Sequence, residues 1–333
     1  MERTVEAVFS QEIINKFLMA YELDNEYKLL GDFENYVYEV TKGDEAFILR
    51  ITHSSHRSEE EIYGEIEWLN FLHENGANVS VVFSSINQYL VEKQVAEDET
   101  IFYACLFSKV KGNPIRSNDP KFNTTLFHSW GREIGKLHRI TSEFQPQTGI
   151  RKQWFEDDLF EIEKYVSNEP IVIERTKEII SKLKQLPEEN FGLIHNDVHN
   201  GNFFFDGKEI HIFDFDDACY FWHVSDIAIP LYYACTSLFP DESNQLQKAQ
   251  FANEFITSFI NGYAEEIQPP TNWKELLSLF LKVRDITLYS ALNKKIAPKE
   301  RNERIQGWMK QIKNRIEQSI PIVSINEGEE VYK

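Results

Sequence analysis

The spacing of hydrophobic and polar residues changes near residue 110. Before that point, short apolar runs are separated by turn-formers such as KGDE (42–45), a pattern typical of strands. One helix interrupts these runs, because Ser58 and Glu61 fit a capping box and apolar residues follow at helical spacing up to Gly76. The predicted strands cover residues 37–40, 46–51, 79–83, 88–92 and 101–107.

After VKGNP (110–114) the periodicity is mainly that of amphipathic helices. Leu126, Trp130, Ile134 and Leu137 mark one of them. Further helices are predicted at 171–186, 246–264, 272–292 and 300–317.

The exception in this helical part is NFFFDGKEIHIF (202–213). Two apolar runs flank Asp206-Gly207, which is a strong signal for a two-residue hairpin turn. The pattern as a whole predicts an α+β chain. We expect a small N-terminal domain at 1–108 with an antiparallel sheet and one helix, followed by a larger, mainly helical C-terminal domain at 109–333.

Composition and charge narrow the classes of function. The chain has 333 residues, more than the roughly 250–300 at which a single core stops growing, so two domains are expected. It carries 35 Lys and Arg against 54 Asp and Glu, a net charge of −19. Such a surface repels phosphate backbones, so we expect no nucleic-acid partner. The oligomeric state is left open.

The sequence also predicts a soluble, cytoplasmic protein without a membrane partner. The N-terminus shows no charged and then apolar leader, and the longest apolar stretch, 227–239, is too short to span a bilayer. The three cysteines, Cys105, Cys219 and Cys235, show no C-x-x-C spacing. We therefore expect neither a disulfide framework nor a zinc knuckle.

Acids, imidazoles and large apolar residues are concentrated in HNDVHNGNFFFDGKEIHIFDFDDA (195–218). His195 and His199 are four residues apart, a spacing that binds zinc when it lies on a helix. The residues between and after them are mostly Asn, Asp and Gly, which form loops rather than helices. The histidines therefore do not predict a zinc site.

The acids and one amide of this segment fit phosphoryl transfer better. That reaction needs a carboxylate to accept the proton of the attacking hydroxyl, and oxygen ligands for Mg²⁺ on the nucleotide phosphates. Asp197 is predicted to be the base, with Asn202 and Asp214 as metal ligands. Any one of the three alone would be explained as a turn-former beside a hairpin, but the three together at this spacing favour a catalytic role in phosphoryl transfer.

HNDVHNGN followed by IHIFDFDDA resembles the catalytic motif of the aminoglycoside phosphotransferase/choline kinase-like family. The resemblance is specific at 195–218 and looser over most of 29–234, including GREIGKLHRI (131–140) and VSDIAIP (224–230). It implies a two-lobed protein-kinase-like fold, ATP and Mg²⁺ as cofactors, and a hydroxyl of a small molecule as the phosphate acceptor.

The resemblance also implies a set of nucleotide-binding residues. LLGDFENYVYEV (29–40) is similar to the hairpin that covers the phosphates, with Gly31 as its single glycine. Arg50 corresponds to the basic residue that touches the phosphates and Glu65 to the helical acid that pairs with it. Backbone groups of Ser108 to Val110 would contact the adenine. The alternatives are an edge-strand charge for Arg50 and a solvated helix face for Glu65.

Several positions depart from the patterns of the wider superfamily. Arg50 stands where protein kinases have lysine, and Asn196 where the family has glycine and protein kinases have arginine. Asp214-Phe215-Asp216 replaces D-F-G. The extra acids, Asp216 and Asp217, are candidates for a second metal or a substrate, or else act as a helix N-cap and first-turn acid. His199 is expected to orient the loop by hydrogen bonding and is a further candidate for the second metal or the substrate.

The sequence thus predicts an ATP- and Mg²⁺-dependent phosphotransferase acting on a small-molecule hydroxyl. Two alternatives stay open at this point. One is a bacterial Ser/Thr protein kinase of the same fold, and the other is a catalytically silent kinase-like binding or coat protein. The retained Asp197, Asn202 and Asp214 argue against the silent protein, because binding alone needs neither a base nor metal ligands.

Overall fold

The computed structural model describes residues 1–241 and 244–325. It contains two compact units. The first consists of 1–111 together with two later segments, 143–151 and 211–216. The second consists of 112–142, 152–210 and the described residues from 217 onward. The last residues of the predicted C-terminal domain, 326–333, lie outside the described part.

The first unit is built on an antiparallel sheet. Along the sheet the strand order is β1-β2-β3-β6-β4, and β5 also pairs with β6. The elements of this unit, in chain order, are α1 (Arg3–Val8), α2 (Gln11–Ala20), β1 (Tyr27–Gly31), β2 (Tyr36–Lys42), β3 (Glu45–His53), α3 (Glu59–Glu74), β4 (Val82–Phe83), β5 (Glu92–Val95) and β6 (Ile101–Ser108).

Side chains of β3 alternate between the two faces of this sheet, as the pleat requires. Leu49 and Ile51 are fully buried in a core that α1 and α2 also share. Arg50 lies between them in sequence and contacts α3 instead. The two N-terminal helices were not predicted and add to the single helix expected in this unit.

The helix predicted from the capping box is α3. Ser58 Oγ accepts a hydrogen bond from the Glu61 N–H at 3.2 Å, and Glu61 Oε2 accepts one from the Ser58 N–H at 2.9 Å. Gly64 lets the segment 143–151 approach, since a Cβ there would lie 2.3 Å from the Ile150 carbonyl oxygen. This close packing explains why a segment so distant in sequence belongs to the first unit.

The strand predicted at 88–92 is displaced in the structure to Glu92–Val95. The preceding residues form a turn instead, in which Ser85 Oγ accepts hydrogen bonds from the backbone N–H groups of Asn87 and Tyr89. Gln88 adopts a left-handed conformation with φ of 66°. Local hydrogen bonds of a serine side chain thus replaced the expected strand.

The second unit is mainly helical. Short 3₁₀ turns at Trp154–Glu156, Asp158–Phe160 and Pro298–Glu300 connect some of the helices. Its helices are α4 (Thr124–Thr141), α5 (Ile162–Tyr165), α6 (Pro170–Leu183), α7 (Val224–Leu238), α8 (Gln245–Tyr263), α9 (Trp273–Lys295) and α10 (Glu303–Gln318). The predicted helices correspond to α4, α6, α8, α9 and α10.

Glycines allow α4 and α8 to pack at very short range. A Cβ on Gly131 would lie 1.8 Å from the Phe259 carbonyl oxygen, and one on Gly262 would lie 1.9 Å from that of His128. Trp130 of α4 is fully buried beside this contact, with its ring 4.7 Å from that of Phe203. The motif segment is thereby anchored to the helical core.

Two small sheets frame the motif segment. In the first, β7 (Phe191–Ile194) pairs antiparallel with β10 (Cys219–Trp222), so that Ile194 faces Cys219. The second is the predicted hairpin, formed by β8 (Phe203–Phe205) and β9 (Ile210–Ile212). In its turn, Asp206 Oδ1 accepts hydrogen bonds from the N–H groups of the two residues at 208 and 209.

Among the described residues, no helix is long and apolar enough to cross a membrane.

Candidate active site

The loop after β7 is held by the buried carboxylate of Asp226, near the start of α7. Its Oδ2 accepts a hydrogen bond from the His195 N–H at 3.0 Å and its Oδ1 one from the Asn196 N–H at 2.7 Å. Asn196 has φ of 65°, a left-handed conformation that Asn tolerates better than most residues. This explains how Asn can occupy a position where the family has glycine.

Asp197 and Asn202 lie together in the second unit. Asn202 Nδ2 donates to the Asp197 carbonyl oxygen at 3.0 Å and to its carboxylate Oδ2 at 3.1 Å. Because the amide nitrogen of Asn202 points toward Asp197, its Oδ1 points away from that residue. An amide oxygen oriented in this way fits a ligand of a hard cation such as Mg²⁺.

His199 supports the same loop. Its Nδ1 accepts a hydrogen bond from the Gly201 N–H at 2.9 Å, which places the ring proton on Nε2. That nitrogen lies 3.5 Å from Asp197 Oδ2. Gly201 is required here, because a Cβ would lie 2.5 Å from the His199 ring. His199 therefore makes a hydrogen bond within the loop that it was expected to orient, and its Nε2 faces the Asp197 carboxylate.

Two residues that the sequence did not predict complete this cluster. Arg284 of α9 donates a hydrogen bond from Nη2 to Asp197 Oδ1. The same nitrogen donates to the hydroxyl of Tyr233 on α7 at 2.6 Å. The Tyr233 ring also contacts the His199 ring, with 4.7 Å between centroids. The one sign of Arg284 in the sequence is a positive charge within the apolar pattern of α9.

The contacts around Asp197 keep its carboxylate ionised. Burial alone would raise the pKa of Asp197, but the Arg284 guanidinium and His199 outweigh it and hold that pKa below its usual range. Burial raises the pKa of Tyr233, so its hydroxyl stays protonated. The site thus presents a charged acceptor of protons beside a fixed cation.

A buried histidine pair lies behind the loop. His138 Nδ1 is 2.7 Å from the Tyr263 hydroxyl and its Nε2 is 3.2 Å from Asp226 Oδ2. Its ring stacks on that of His223 at 4.1 Å. Burial lowers the pKa of His138 to about 3 and, together with His138, that of His223 to about 2. Both rings are therefore neutral near pH 7.

In the first unit, Arg50 and Glu65 form a bidentate ion pair. Nη1 and Nη2 of Arg50 donate to the two carboxylate oxygens of Glu65 at 2.8 and 2.6 Å. The side chains are only 5% and 1% exposed, so neither is a surface charge. The guanidinium also lies over the Phe107 ring, 5.0 Å from its centroid. The structure thus contains the pairing that the family resemblance implied.

The other predicted nucleotide-binding residues also lie in the first unit. Gly31 ends β1, just after an irregularity in the β1–β2 register. Ser108 ends β6, and its N–H already donates to the Val81 carbonyl at 2.8 Å. That N–H is not available to a nucleotide unless this bond breaks. Val110 follows β6 and is partly exposed.

Asp214, Asp216 and Asp217 have different surroundings. Asp214, in the first unit, is exposed and has φ of 66°, a strained conformation for a non-glycine residue of the kind found at functional sites. Asp217 belongs to the second unit and is exposed. The alternative of a helix N-cap for Asp216 or Asp217 is wrong, since residues 219–222 form β10.

Asp216 is buried in the first unit beside His56 and Arg57. Its Oδ2 lies 2.6 Å from His56 Nε2, and its Oδ1 lies 3.3 Å from Arg57 Nε. Burial is outweighed by Arg57 and His56, which hold the pKa of Asp216 well below its usual range. Its carboxylate is thus engaged in an ion pair with Arg57 and a hydrogen bond with His56. The proposed roles of Asp216, Asp217 and His199 toward a second metal or a substrate stay predictions.

Comparison with known proteins identifies the family. The phosphotransferase enzyme family matches residues 27–264, more than half of the chain. The chain belongs to this family. It is 33% identical over 296 residues to the amicoumacin kinase of Bacillus subtilis (strain 168), covering 86% of this chain and 87% of that protein.

Solved structures agree with this assignment. The amicoumacin kinase hAmiN, in complex with AMP-PNP, Ca²⁺ and Ami, has 29% identity and a TM-score of 0.91 over 98% of both chains. A microcompartment-associated aminopropanol kinase shares the fold, with 19% identity and a TM-score of 0.73 over 94% of this chain and all of that one. A spectinomycin phosphotransferase has 16% identity and a TM-score of 0.59 over 93% and 99% of the two chains.

The predicted fold class, a protein-kinase-like fold with an antiparallel sheet and a larger helical part, is confirmed. The predicted family resemblance is confirmed by the match over residues 27–264. The chain is an ATP-dependent phosphotransferase that acts on small molecules.

Proposed function

We propose that this phosphotransferase moves the γ-phosphate of ATP to a hydroxyl of amicoumacin or a molecule closely related to it. The observation that carries the proposal is the similarity to an amicoumacin kinase along 98% of both chains. The B. subtilis enzyme of the same name, with 33% identity, supports it independently. Likeness to other kinases at 19% identity or less supports only the fold.

Asp197 is the residue we propose as base. Its carboxylate is ionised, because Arg284 and His199 lower its pKa, and it can therefore take the proton of an incoming hydroxyl. Asn202 and His199 hold the carboxylate from one side, so the acceptor meets a base of fixed orientation. Asp226 supports the loop from behind through two backbone hydrogen bonds.

For the nucleotide we propose Arg50, oriented by Glu65, as the phosphate-binding cation. Its fork stays charged at every relevant pH and suits phosphate oxygens. Gly31 and the backbone at Ser108 to Val110 remain proposed contacts of the phosphates and the adenine. We propose that the enzyme works in the cytoplasm, where ATP is available.

Mg²⁺ is the metal we propose, with Asn202 and Asp214 as its protein ligands. A carboxylate and an amide oxygen suit a hard cation that keeps several waters and takes few protein ligands. Ca²⁺, which accompanies the related hAmiN, prefers the same oxygen chemistry. When bound, such an ion neutralises the charge that develops on the nucleotide phosphates.

The test is to incubate the protein with MgATP and amicoumacin and to measure the mass of the product. We expect the mass of one added phosphate and stoichiometric release of ADP. Asp197→Asn should lower turnover by about 10³-fold or more while MgATP binding changes little, since the amide keeps the shape but accepts no proton. Removal of divalent metal by a chelator should abolish turnover.

Aminopropanol, spectinomycin, choline and a protein acceptor serve as competing substrates in the same assay. Asp206→Asn is the matched control, because this exposed acid caps the hairpin turn and an amide can accept the same two backbone hydrogen bonds. Preferred phosphorylation of one of the competitors would reject amicoumacin as the acceptor. Loss of MgATP binding in Asp197→Asn would reject Asp197 as the base.

A further inference from the structure

The guanidinium of Arg284 lies at the catalytic carboxylate but uses few of its donors. Nη2 alone makes both described hydrogen bonds, one to Asp197 Oδ1 and one to the Tyr233 hydroxyl at 2.6 Å. Nε is buried and has no partner among the described residues. A guanidinium carries five N–H donors, and leaving them unpaired in a buried place is costly. Among the described residues, Nη2 is thus the one guanidinium nitrogen of Arg284 with an acceptor oxygen.

The guanidinium is also held rigidly. It lies over the Tyr233 ring, 5.0 Å from the centroid. The next residue of α9, Asp285, is locked by Arg315 of α10 through hydrogen bonds of 3.0 and 2.6 Å. Tyr232 of α7 donates to the same carboxylate at 2.8 Å. Because α7, α9 and α10 are tied together here, the cation is in place before any ligand arrives, as electrostatic catalysis requires.

The two oxygens of Asp197 are unequally occupied. Oδ2 accepts from Asn202 at 3.1 Å and lies 3.5 Å from His199 Nε2, whereas Oδ1 accepts from Arg284. A carboxylate oxygen has room for about two donors. The accepting hydroxyl therefore meets Oδ1 most easily. It would then lie within two hydrogen-bond lengths, about 5.5 Å, of Arg284 Nη2.

We propose that Arg284 is a second catalytic residue, whose free donors bind the oxygens of the phosphoryl group while it is transferred. The inference rests on the proposed function of Asp197. In the step, the acceptor oxygen bonds to the γ-phosphorus and the bond from that phosphorus to the ADP oxygen breaks, its electron pair leaving with ADP. The hydroxyl proton goes to Asp197, and Arg284 stays protonated throughout.

Charge at the site supports this role. Arg284 faces the carboxylates of Asp197 and Asp217, which would otherwise repel the negatively charged phosphoryl group. A cation that binds phosphoryl oxygens in the transition state typically increases turnover by about 10³-fold or more. If Arg284 only positioned Asp197, its substitution would impair the base but would leave the affinity for a phosphoryl mimic unchanged.

The test compares Arg284→Gln with the wild type in two measurements. The first is the steady-state kinetics of acceptor phosphorylation. The second is the affinity for MgADP with and without aluminium fluoride, a planar mimic of the phosphoryl group, in the absence of acceptor. We expect kcat to fall by about 10³-fold in the variant, with little change in the KM for ATP. Aluminium fluoride should tighten MgADP binding by about 100-fold in the wild type and hardly at all in the variant.

Arg132→Gln is the matched control, since Arg132 is a partly buried arginine of the same unit that pairs with Glu209 at 2.7 Å. It should behave as the wild type in both measurements. If Arg284→Gln fails to fold, Arg284→Lys replaces it. That variant keeps the charge without the planar fork, and we expect its kcat and its response to aluminium fluoride to lie between those of the other two proteins.

A wild-type response to aluminium fluoride in the variants would overturn the proposal, even if turnover fell. Wild-type turnover in the variants would overturn it as well. Failure of the wild type to phosphorylate amicoumacin would instead reject the proposed acceptor. In that case the binding measurement, which needs no acceptor, still decides the role of Arg284.

Discussion

At the scale of single residues, the decisive feature is how far charged groups are taken out of water. Arg50 and Glu65 are 5% and 1% exposed and are joined by two hydrogen bonds. Taking the two charges out of water costs free energy that offsets much of their mutual attraction. The pair therefore fits the proposed role of Arg50, an oriented cation at the nucleotide, better than a role in stability alone.

Glu65→Gln tests this explanation. The amide cannot neutralise Arg50, so we expect the free energy of unfolding to fall by about 3 kcal/mol and turnover by about 100-fold as the guanidinium loses its orientation. Denaturant unfolding and steady-state kinetics measure the two effects. Glu60→Gln, at an exposed position in the first turn of the same helix, is the control. Lower stability with wild-type turnover would show that the pair is only structural.

At the scale of elements, close backbone approaches decide which segments belong together. Gly64 of α3 admits the segment 143–151, whose Ile150 N–H donates to the Glu60 carbonyl at 3.1 Å. Arg151 continues the contact by donating to the Glu61 carbonyl at 3.0 Å. A side chain at position 64 would therefore displace a connection that crosses a long stretch of sequence.

Gly64→Ala is expected to destabilise the protein by about 1–3 kcal/mol, because its Cβ would lie 2.3 Å from the Ile150 carbonyl oxygen and backbone must move. The matched control is Gly307→Ala in α10, where no atom lies within 4 Å of the added Cβ. That change should stabilise the protein by up to about 1 kcal/mol, since alanine favours a helix. Thermal unfolding of the two variants measures the contrast, and equal effects would contradict it.

At the scale of the whole molecule, the buried histidine pair makes stability depend on pH. The folded-state pKa values of His138 and His223, about 3 and about 2, lie below the ordinary 6.5. Below pH 6.5 the unfolded chain therefore binds protons that the folded chain does not, and stability falls as the pH falls. Burial raises the pKa of Asp226, so this residue acts in the opposite direction and favours the folded state as the pH falls.

We expect the free energy of unfolding to decrease by on the order of 2 kcal/mol for each histidine between pH 7 and pH 5, before the opposing contribution of Asp226. Denaturant unfolding at a series of pH values measures this slope. His223→Asn removes one of the two groups and should make the slope clearly shallower. An unchanged slope in that variant would contradict the assignment of the pH dependence to the pair.

The sequence by itself determined the features that depend on neighbouring residues. The capping box of α3, the apolar spacing of α4, α6, α8, α9 and α10, and the hairpin around Asp206-Gly207 were all predicted from local pattern. The spacing of Asp197, Asn202 and Asp214 indicated phosphoryl transfer because each residue type has a known task in that chemistry. Motif resemblance supplied Arg50 and Glu65.

Only the tertiary structure decided which distant residues meet. Arg284 contacts Asp197 from 87 residues away, and Asp226 holds the loop at 195 from 31 residues away. The segments 143–151 and 211–216 join the first unit for the same kind of reason. Hydrophobic periodicity shows which face of an element is buried, but the partner of that face is chosen by the packing of the whole chain. The charge of Arg284 within the apolar pattern of α9 is visible in the sequence, but its contact with Asp197, the proposed base, could be found only in the folded protein.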